Sequence, residues 1–214
     1  MKQPFPGRIS SVVMQQKMRP GLGRRVNVFI NDRFSFALDA GLAMDRGLRP
    51  GLELDQAALD ELIGADGNAR AYARALSFLG YRARSAKEIT DRLARDEWPD
   101  TVIARVIEKL RGDGLVDDAA FSAQWVDSRA RKRGGRALTQ ELRLKGVDRE
   151  TIEASLPDAD EEASNAREAA RRKWENWSAL EARERREKTL QFLQRRGFGF
   201  GVALSAVKAL ESGE

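Results

Sequence analysis

Residues 93–110 read LARDEWPDTVIARVIEKL, and one hundred positions later residues 193–210 read LQRRGFGFGVALSAVKAL. Leu93, Trp98, Val102, Ile103, Val106, Ile107 and Leu110 are answered by Leu193, Phe198, Val202, Ala203, Ala206, Val207 and Leu210. Between them, residues 142–156 (LRLKGVDRETIEASL) place Leu142, Val147, Ile152 and Leu156 against Leu93, Trp98, Ile103 and Ile107 at a constant offset. A helical unit that recurs every ~50 residues is the signature of a repeat array. Such a chain spreads its core over modules that lean on their neighbours, and it meets partners along a surface more readily than it encloses a small substrate.

Composition narrows the field. The 214 residues contain neither cysteine nor histidine, so disulfides, thiolate or imidazole metal ligands and the commonest nucleophile and base pairs are excluded. No catalytic constellation is recognisable among the remaining carboxylates, lysines, serines and tyrosines, and a non-enzymatic protein without cofactor, metal or small-molecule substrate is expected. The start, MKQPFPGRISSVV, lacks the apolar core of a signal peptide, and no stretch approaches the ~18 apolar residues of a membrane span, so a cytoplasmic location is the default expectation. Net charge is +5, concentrated in the middle: residues 69–157 hold eighteen cations against fourteen acids, whereas residues 158–214 are balanced. A basic middle permits a polyanionic partner.

Outside the repeats the period changes. Ile9 to Gln15 reads as a strand, Val26, Val28 and Ile30 alternate, Asn31-Asp32 is a turn signal, and Phe34, Phe36 and Leu38 alternate again, which predicts a small sheet with a hairpin. Arg49-Pro50-Gly51 makes a turn, Asp55 caps a short helix through Ile63, and Gly64 to Asn68 reads as a closing linker. The expected organisation is a β-rich N-terminal domain at 1–68 and three-helix repeats at 69–115, 116–157 and 158–214. The fold class is mainly α, tandem three-helix repeats in an extended array. Ser85 and Glu88 have capping-box spacing. Gly114 ends the third helix of the first unit, and Gly146 and Gly197 are placed to end helices in a left-handed conformation, whereas the first unit has Glu97 at their position and should end its second helix differently.

The motifs, in order, resemble those of the RecX family, regulators of the RecA recombinase. Leu79, Arg82, Ser85, Glu88, Ile89 and Leu93 match its L-x-x-R-x-x-S-x-x-E-L-x-x-x-L pattern, with isoleucine for the usual leucine. Gly114-Leu115-Val116-Asp117-Asp118, Phe121, Val126 and Arg129 match its G-L-[IL]-D-D-x-x-F-A stretch and following arginine. Gly135, Leu138, Glu141-Leu142 and Lys145-Gly146-Val147 match its G-x-x-x-[LI]-x-x-E-L-x-x-K-G-[IV] stretch. Ser122 and Trp125 depart from the usual alanine and phenylalanine or tyrosine, and the third unit keeps only the apolar skeleton. The resemblance implies a protein that binds the RecA filament on single-stranded DNA and negatively modulates recombinase, ATPase and co-protease activity in DNA repair and the SOS response. The implied partners are RecA protein and single-stranded DNA, directly or within the filament, with double-stranded DNA a further candidate. The alternative is a general basic DNA-binding protein that acts only by occupying DNA.

The residues themselves nominate a contact. Arg129, Arg131, Lys132, Arg133, Arg136, Arg143, Lys145 and Arg149 fall in 21 residues whose only acids are Glu141 and Asp148. A phosphate backbone would be drawn to them with salt-dependent affinity. The competing account is that Arg129 to Arg133 only complement the negative end of the helix before them. Arg82 and Arg84, beside the Ser85 cap, form a smaller candidate, and Arg19, Arg24 and Arg25 a third at a glycine-rich loop. Asp117-Asp118 reads as a helix cap, Gly197-x-Gly199-x-Gly201 as a connection between helices, and Trp98, Trp125 and Trp174 as core anchors. The interleaved charges of Arg171 to Glu187 read as an ion-paired surface.

Overall fold

The computed structural model describes residues 3–16 and 24–213, and its chain divides into two compact units, residues 1–83 with 89–115 and residues 84–88 with 116–214. In the first unit, strands β1 (Gly7–Met14), β2 (Arg25–Ile30), β3 (Arg33–Asp39) and β4 (Glu53–Leu54) form one antiparallel sheet in the order β3-β2-β1-β4. Alternation holds for Val26, Val28 and Ile30 and for Phe36 and Leu38, all buried, but Phe34, read in the same row, is exposed and Ser35 is buried in its stead, next to the register shift at Val28/Phe29. Asn31 and Asp32 both take positive φ (49° and 62°), the turn whose twist matches that of the flanking strands. Asp39 then caps a short helix, α1 (Ala40–Asp45), that the sequence pattern does not announce.

The expected linker at Gly64 to Asn68 does not exist. One helix, α2 (Gln56–Leu79), runs through it, capped by Asp55 as anticipated. Leu59 and Leu62 cover the sheet, while Ala71 and Ala75 are buried further along. What holds the middle is Asp66, buried and accepting from both Nη1 and Nη2 of Arg25 (3.0 and 2.9 Å) and from the Asp39 amide (2.8 Å). Such a fork-to-carboxylate pair outweighs the ~1 kcal/mol helix cost of each glycine. Arg25 is therefore a structural group and not a loop contact, and Arg19 lies outside the described residues. Helices α3 (Ala86–Arg95) and α4 (Asp100–Gly112) follow, burying Ile89, Leu93, Ile103, Val106, Ile107 and Leu110.

The second unit holds α5 (Asp118–Asp127), α6 (Gly135–Leu144) and α7 (Arg149–Ser155), then α8 (Ala159–Asn176), α9 (Ala182–Arg195) and α10 (Phe200–Ser212). Phe121, Val126, Leu138, Leu142, Val147 and Ile152 make one core, and Ala166, Ala170, Leu193, Phe198, Ala203 and Val207 the next. Leu93, Leu142 and Leu193, and Ile103, Ile152 and Ala203, are buried alike, whereas Trp98 is half-buried where Phe198 is fully buried, and three-helix repeats follow a small sheet as the sequence indicates.

Each second helix ends in the same backbone. Gly146 (φ 77°) donates to Arg143 and Val147 donates to Leu142; Gly197 (φ 90°) donates to Gln194 and Phe198 to Leu193. Glu97, expected to differ, has φ 63° and repeats the pattern through Ala94 and Leu93. The hydrogen-bond geometry is identical, and what differs is the space beside it. A Cβ on Gly146 would lie 2.5 Å from Lys87 Cβ, and one on Gly197 would lie 2.4 Å from Ala137 Cβ, whereas the Glu97 side chain is exposed.

Both glycines occupy a joint. The start of α3 meets the end of α6, where Ser85 Oγ donates to the Lys145 carbonyl (2.6 Å) and the Ala86 amide donates to Asp118 (2.9 Å). Forty-nine residues on, the start of α6 meets the end of α9: the Gly134 amide donates to the Arg196 carbonyl (3.0 Å), the Arg136 amide to the Gly197 carbonyl (3.2 Å), and the Gly135 amide to Glu162 (2.8 Å). Gly197→Ala combines left-handed strain with overpacking against Ala137, and we expect it to lower stability by about 3 kcal/mol in urea unfolding. Glu97→Gly, with strain relieved and chain entropy gained, should leave stability within about 1 kcal/mol of the parent. Equal losses in the two variants would remove the joint as the reason for glycine.

Candidate nucleic-acid interface

The stretch between α5 and α6 and the helix after it carry the basic cluster, and the structure sorts its members into two sets. Glu141, on α6, collects the first. Arg129 Nε lies 3.5 Å from one of its oxygens and Arg133 Nε 3.5 Å from the other, while Trp125 Nε1 donates to it at 2.9 Å. The Arg129 guanidinium also sits 3.6 Å from the Trp125 ring centroid, and the Lys145 ammonium 5.2 Å from it. Lys145 points to the joint: its Nζ is 2.7 Å from Glu88 Oε1, beside Arg84 at 3.9 Å. Arg84 and Lys145 therefore share one carboxylate and stabilise the contact of α3 with α6. The Ser85 and Glu88 box is also present, with Ser85 Oγ accepting from the Glu88 amide (3.2 Å). Arg82 is exposed and donates to the Ala83 carbonyl, and Arg149 pairs with Glu153 at 2.6 Å.

The second set is Arg131, Lys132, Arg136 and Arg143. All four are exposed, and none forms an ion pair with another described residue. Arg136 and Arg143 are two turns apart on one face of α6. Arg131 and Lys132 make no side-chain hydrogen bond to the carbonyls of α5 among the described residues.

A contribution that sequence proximity cannot show comes from α9. Its last turn carries Arg195 and Arg196, and the bond from the Gly134 amide to the Arg196 carbonyl brings them beside residues 131–136. Arg195 is exposed, and Arg196 lies over Phe192, 5.3 Å from its centroid. The only signal in the sequence is that Arg196-Gly197 stands where Lys145-Gly146 stands one repeat earlier.

The remaining candidates resolve plainly. Asp117 caps α5 through the amides of Ala119 and Ala120, while Asp118 reaches the start of α3. Gly199 is the N-cap of α10, so the glycine run is a connection between helices. Trp98, Trp125 and Trp174 are half-buried, Trp125 and Trp174 packed against the cores of their repeats, each with an arginine at its ring: Arg70, Arg129 and Arg185, the last at 3.8 Å. In the third repeat Arg171 pairs with Glu168, Arg183 with Glu187, Lys188 with Glu184 and Arg186 with Glu211. Among the described residues no cluster of three acids could hold a metal, and no helix is long and apolar enough to cross a membrane.

Fold and surface together define a protein of tandem three-helix repeats behind a small sheet, carrying a concentrated basic surface on its second repeat. Family models for the regulatory protein RecX N-terminal domain and the first, second and third RecX three-helix domains match residues 8–55, 71–110, 117–156 and 160–207. The regulatory protein RecX of Bacillus subtilis strain 168 is 35% identical over 194 residues, 87% of this chain and 72% of its own length, and that of Bacillus velezensis is 32% identical over 191 residues, 87% and 73%. A crystal structure of regulatory protein RecX superposes with a TM-score of 0.74 at 27% identity, covering 97% of this chain and all of the other. RecX from Lactobacillus salivarius shares the fold at 23% identity (TM-score 0.65, 69% of this chain and 99% of the other). The chain belongs to the RecX family of regulatory proteins.

Removing Glu141 separates the two sets of cations. Glu141→Ala leaves the Trp125 indole N–H without its acceptor and should cost about 1–2 kcal/mol with a red shift in tryptophan emission. It also frees Arg129 and Arg133, so binding to single-stranded DNA should strengthen and its salt dependence steepen. DNA affinity that does not move would show that these two arginines face away from any phosphate.

Proposed function

We propose that this chain binds the RecA filament on single-stranded DNA and restrains the recombinase, ATPase and co-protease activities of RecA during DNA repair and the SOS response. Membership of a regulatory family supports the role. The observation that carries the contact is the set of exposed cations that form no ion pair with another described residue: Arg131, Lys132, Arg136 and Arg143, joined by Arg195. Cations already held by Glu141 or Glu88 would have to break those pairs to meet a phosphate, whereas the unpaired ones exchange only water and counterions. Arg82, also exposed, is a second and smaller contact in this reading. Repeats that touch more than one protomer would add avidity without strong individual contacts.

The reading in which the chain acts only by occupying DNA rests on the same cations, so the partner must be varied. Salt-titrated binding to bare single-stranded DNA, bare duplex and RecA-coated strand separates the two: preference for the coated strand supports the filament, and equal affinities support occupancy alone. Reversing Arg131, Lys132, Arg136 and Arg143 to glutamate should weaken binding about a hundredfold and flatten the logarithmic salt slope by about 3, at roughly 0.7 per single-strand phosphate. Circular dichroism should remain helical, since none of the four holds the fold. Undiminished inhibition of RecA-driven ATP hydrolysis by this variant would remove the surface from the mechanism.

A further inference from the structure

The third repeat carries a row of alternating chemistry along α8 and α9. Lys173, in the last turn of α8, holds its ammonium 5.8 Å from the ring centroid of Trp177, which caps the same helix. Trp177 meets Phe192 of α9 edge to face at 6.5 Å, and Arg196, one turn beyond Phe192, lies 5.3 Å from that second ring. The order is cation, aromatic, aromatic, cation. Its last member is the residue whose carbonyl receives the Gly134 amide, so the row ends where the basic surface of the second repeat begins.

Two observations separate this row from ordinary packing. The first is the state of the rings. Trp174 packs against the core and is closed by Arg185, whose guanidinium sits 3.8 Å from the ring and whose Nε donates to the Trp174 carbonyl (2.9 Å). Trp125 is closed in the same way by Arg129 at 3.6 Å. Trp177 is half-buried, and the cation at its ring is a flexible lysine close to the ~6 Å limit of such contacts. The second is charge. The stripe of α9 that holds Phe192 consists of Arg185, Lys188, Thr189, Phe192, Arg195 and Arg196, with no carboxylate in it. Lys188 turns to Glu184 on its flank (2.8 Å), whereas Lys173, Arg195 and Arg196 form no ion pair with another described residue. Glu175, two positions before Trp177, falls on the opposite side of α8.

We infer that the row through Trp177 and Phe192 is a stacking site for single-stranded DNA, with an unstacked base on the Trp177 indole and the adjoining phosphates on Lys173 and Arg196. The inference rests on the reading that this chain meets single-stranded DNA, and it gives the third repeat a part in that contact. Cations alone serve a duplex as well as a single strand. An open ring does not, because the bases of a duplex are stacked on one another and present no free face. Stacking on an aromatic side chain is also tolerant of sequence, since every base has a π-face. Lysine suits the position beside the ring, because its flexible stem lets the ammonium swing from the indole to a phosphate as the base arrives.

Fluorescence polarisation of the full chain with labelled oligo(dT) and with a labelled duplex of equal length tests this. Trp177→Leu keeps an apolar group on Phe192 but removes the flat ring. It should weaken single-strand binding about tenfold and leave duplex binding unchanged. The loss should be the same at low and high salt, because no phosphate contact goes with the ring, whereas Arg196→Gln should flatten the logarithmic salt slope by about 0.7. Trp177→Phe should keep most of the parent's affinity yet lose the quenching of tryptophan emission that oligo(dT) causes in the parent, which separates stacking from a fold that has simply loosened. Equal losses for strand and duplex, or unchanged strand binding in Trp177→Leu while charge reversal at Arg131, Lys132, Arg136 and Arg143 weakens it, would overturn the stacking site and leave the basic surface standing. A loss confined to RecA-coated strand would make the row a protein contact and overturn it too. A parent chain that binds neither bare DNA would overturn both.

Discussion

A missing side chain allows two pairs of helix ends to meet. At the end of α6 and again at the end of α9 the chain turns left-handed at a glycine, and the start of the preceding repeat's second helix occupies the place where a Cβ would be, 2.5 Å from Lys87 Cβ in one case and 2.4 Å from Ala137 Cβ in the other. Close-packed interiors leave no slack for a methyl group at that distance. Glu97 shows that steric demand and not backbone conformation selects glycine, because it adopts the same φ region with the same hydrogen bonds and keeps an exposed side chain.

The joint also decides which cations are available to a partner. Lys145 and Arg84 are drawn to Glu88 because α6 ends where α3 begins, and Arg129 and Arg133 are drawn to Glu141, which also holds the Trp125 indole. Arg129 and Lys145 also lie over the half-buried Trp125 ring, where a long stem covers apolar area while its charged head stays hydrated. Among the described residues Arg131, Lys132, Arg136 and Arg143 have no such anchor, and the bond that seats Gly134 on the Arg196 carbonyl brings the end of α9, with Arg195, next to the start of α6. Charge density along the sequence is thus a poor guide to charge available in space. Of that dense run Lys145 reaches Glu88 in the preceding repeat, and Arg129, Arg133 and Arg149 are held by carboxylates of their own repeat.

What could be read beforehand follows from the range of each interaction. Periodicity, the Asn31-Asp32 turn, the Ser85 box and the Asp55 and Asp117 caps act over four residues or fewer, and each appears where the sequence puts it. Gly64 to Asn68 misleads because local propensity disfavours a helix there, while the deciding bonds come from Arg25 and Asp39, more than twenty residues earlier. Glu97 misleads in the opposite direction: glycine's absence suggests a different ending, although only glycine's second role, making room, is dispensable there. The tryptophans repeat at helical spacing as core residues do, and Trp125 and Trp174 pack against their cores from half-buried positions with an arginine at each ring.

The joint's demand for space reaches further, into how helix starts are satisfied. An exposed helix would begin with serine or aspartate, whose side chain accepts from the first free amides. Position 134 cannot hold either, since a Cβ there would fall 2.3 Å from the Phe198 amide nitrogen. The orphaned amides of α6 must then find acceptors elsewhere, and they do: Gly134 and Arg136 donate to the terminal carbonyls of α9, and Gly135 donates to the Glu162 carboxylate of α8. At the other joint, Ser85 retains its side chain, yet the Ala86 amide still turns to Asp118, the first residue of the next repeat's first helix. In both cases the neighbouring repeat supplies a negative group to the positive end of a helix that is too crowded or too buried to be capped by water. A repeat in this chain therefore lacks a complete set of hydrogen bonds by itself, and the order of the repeats is written in which carboxylate completes which helix.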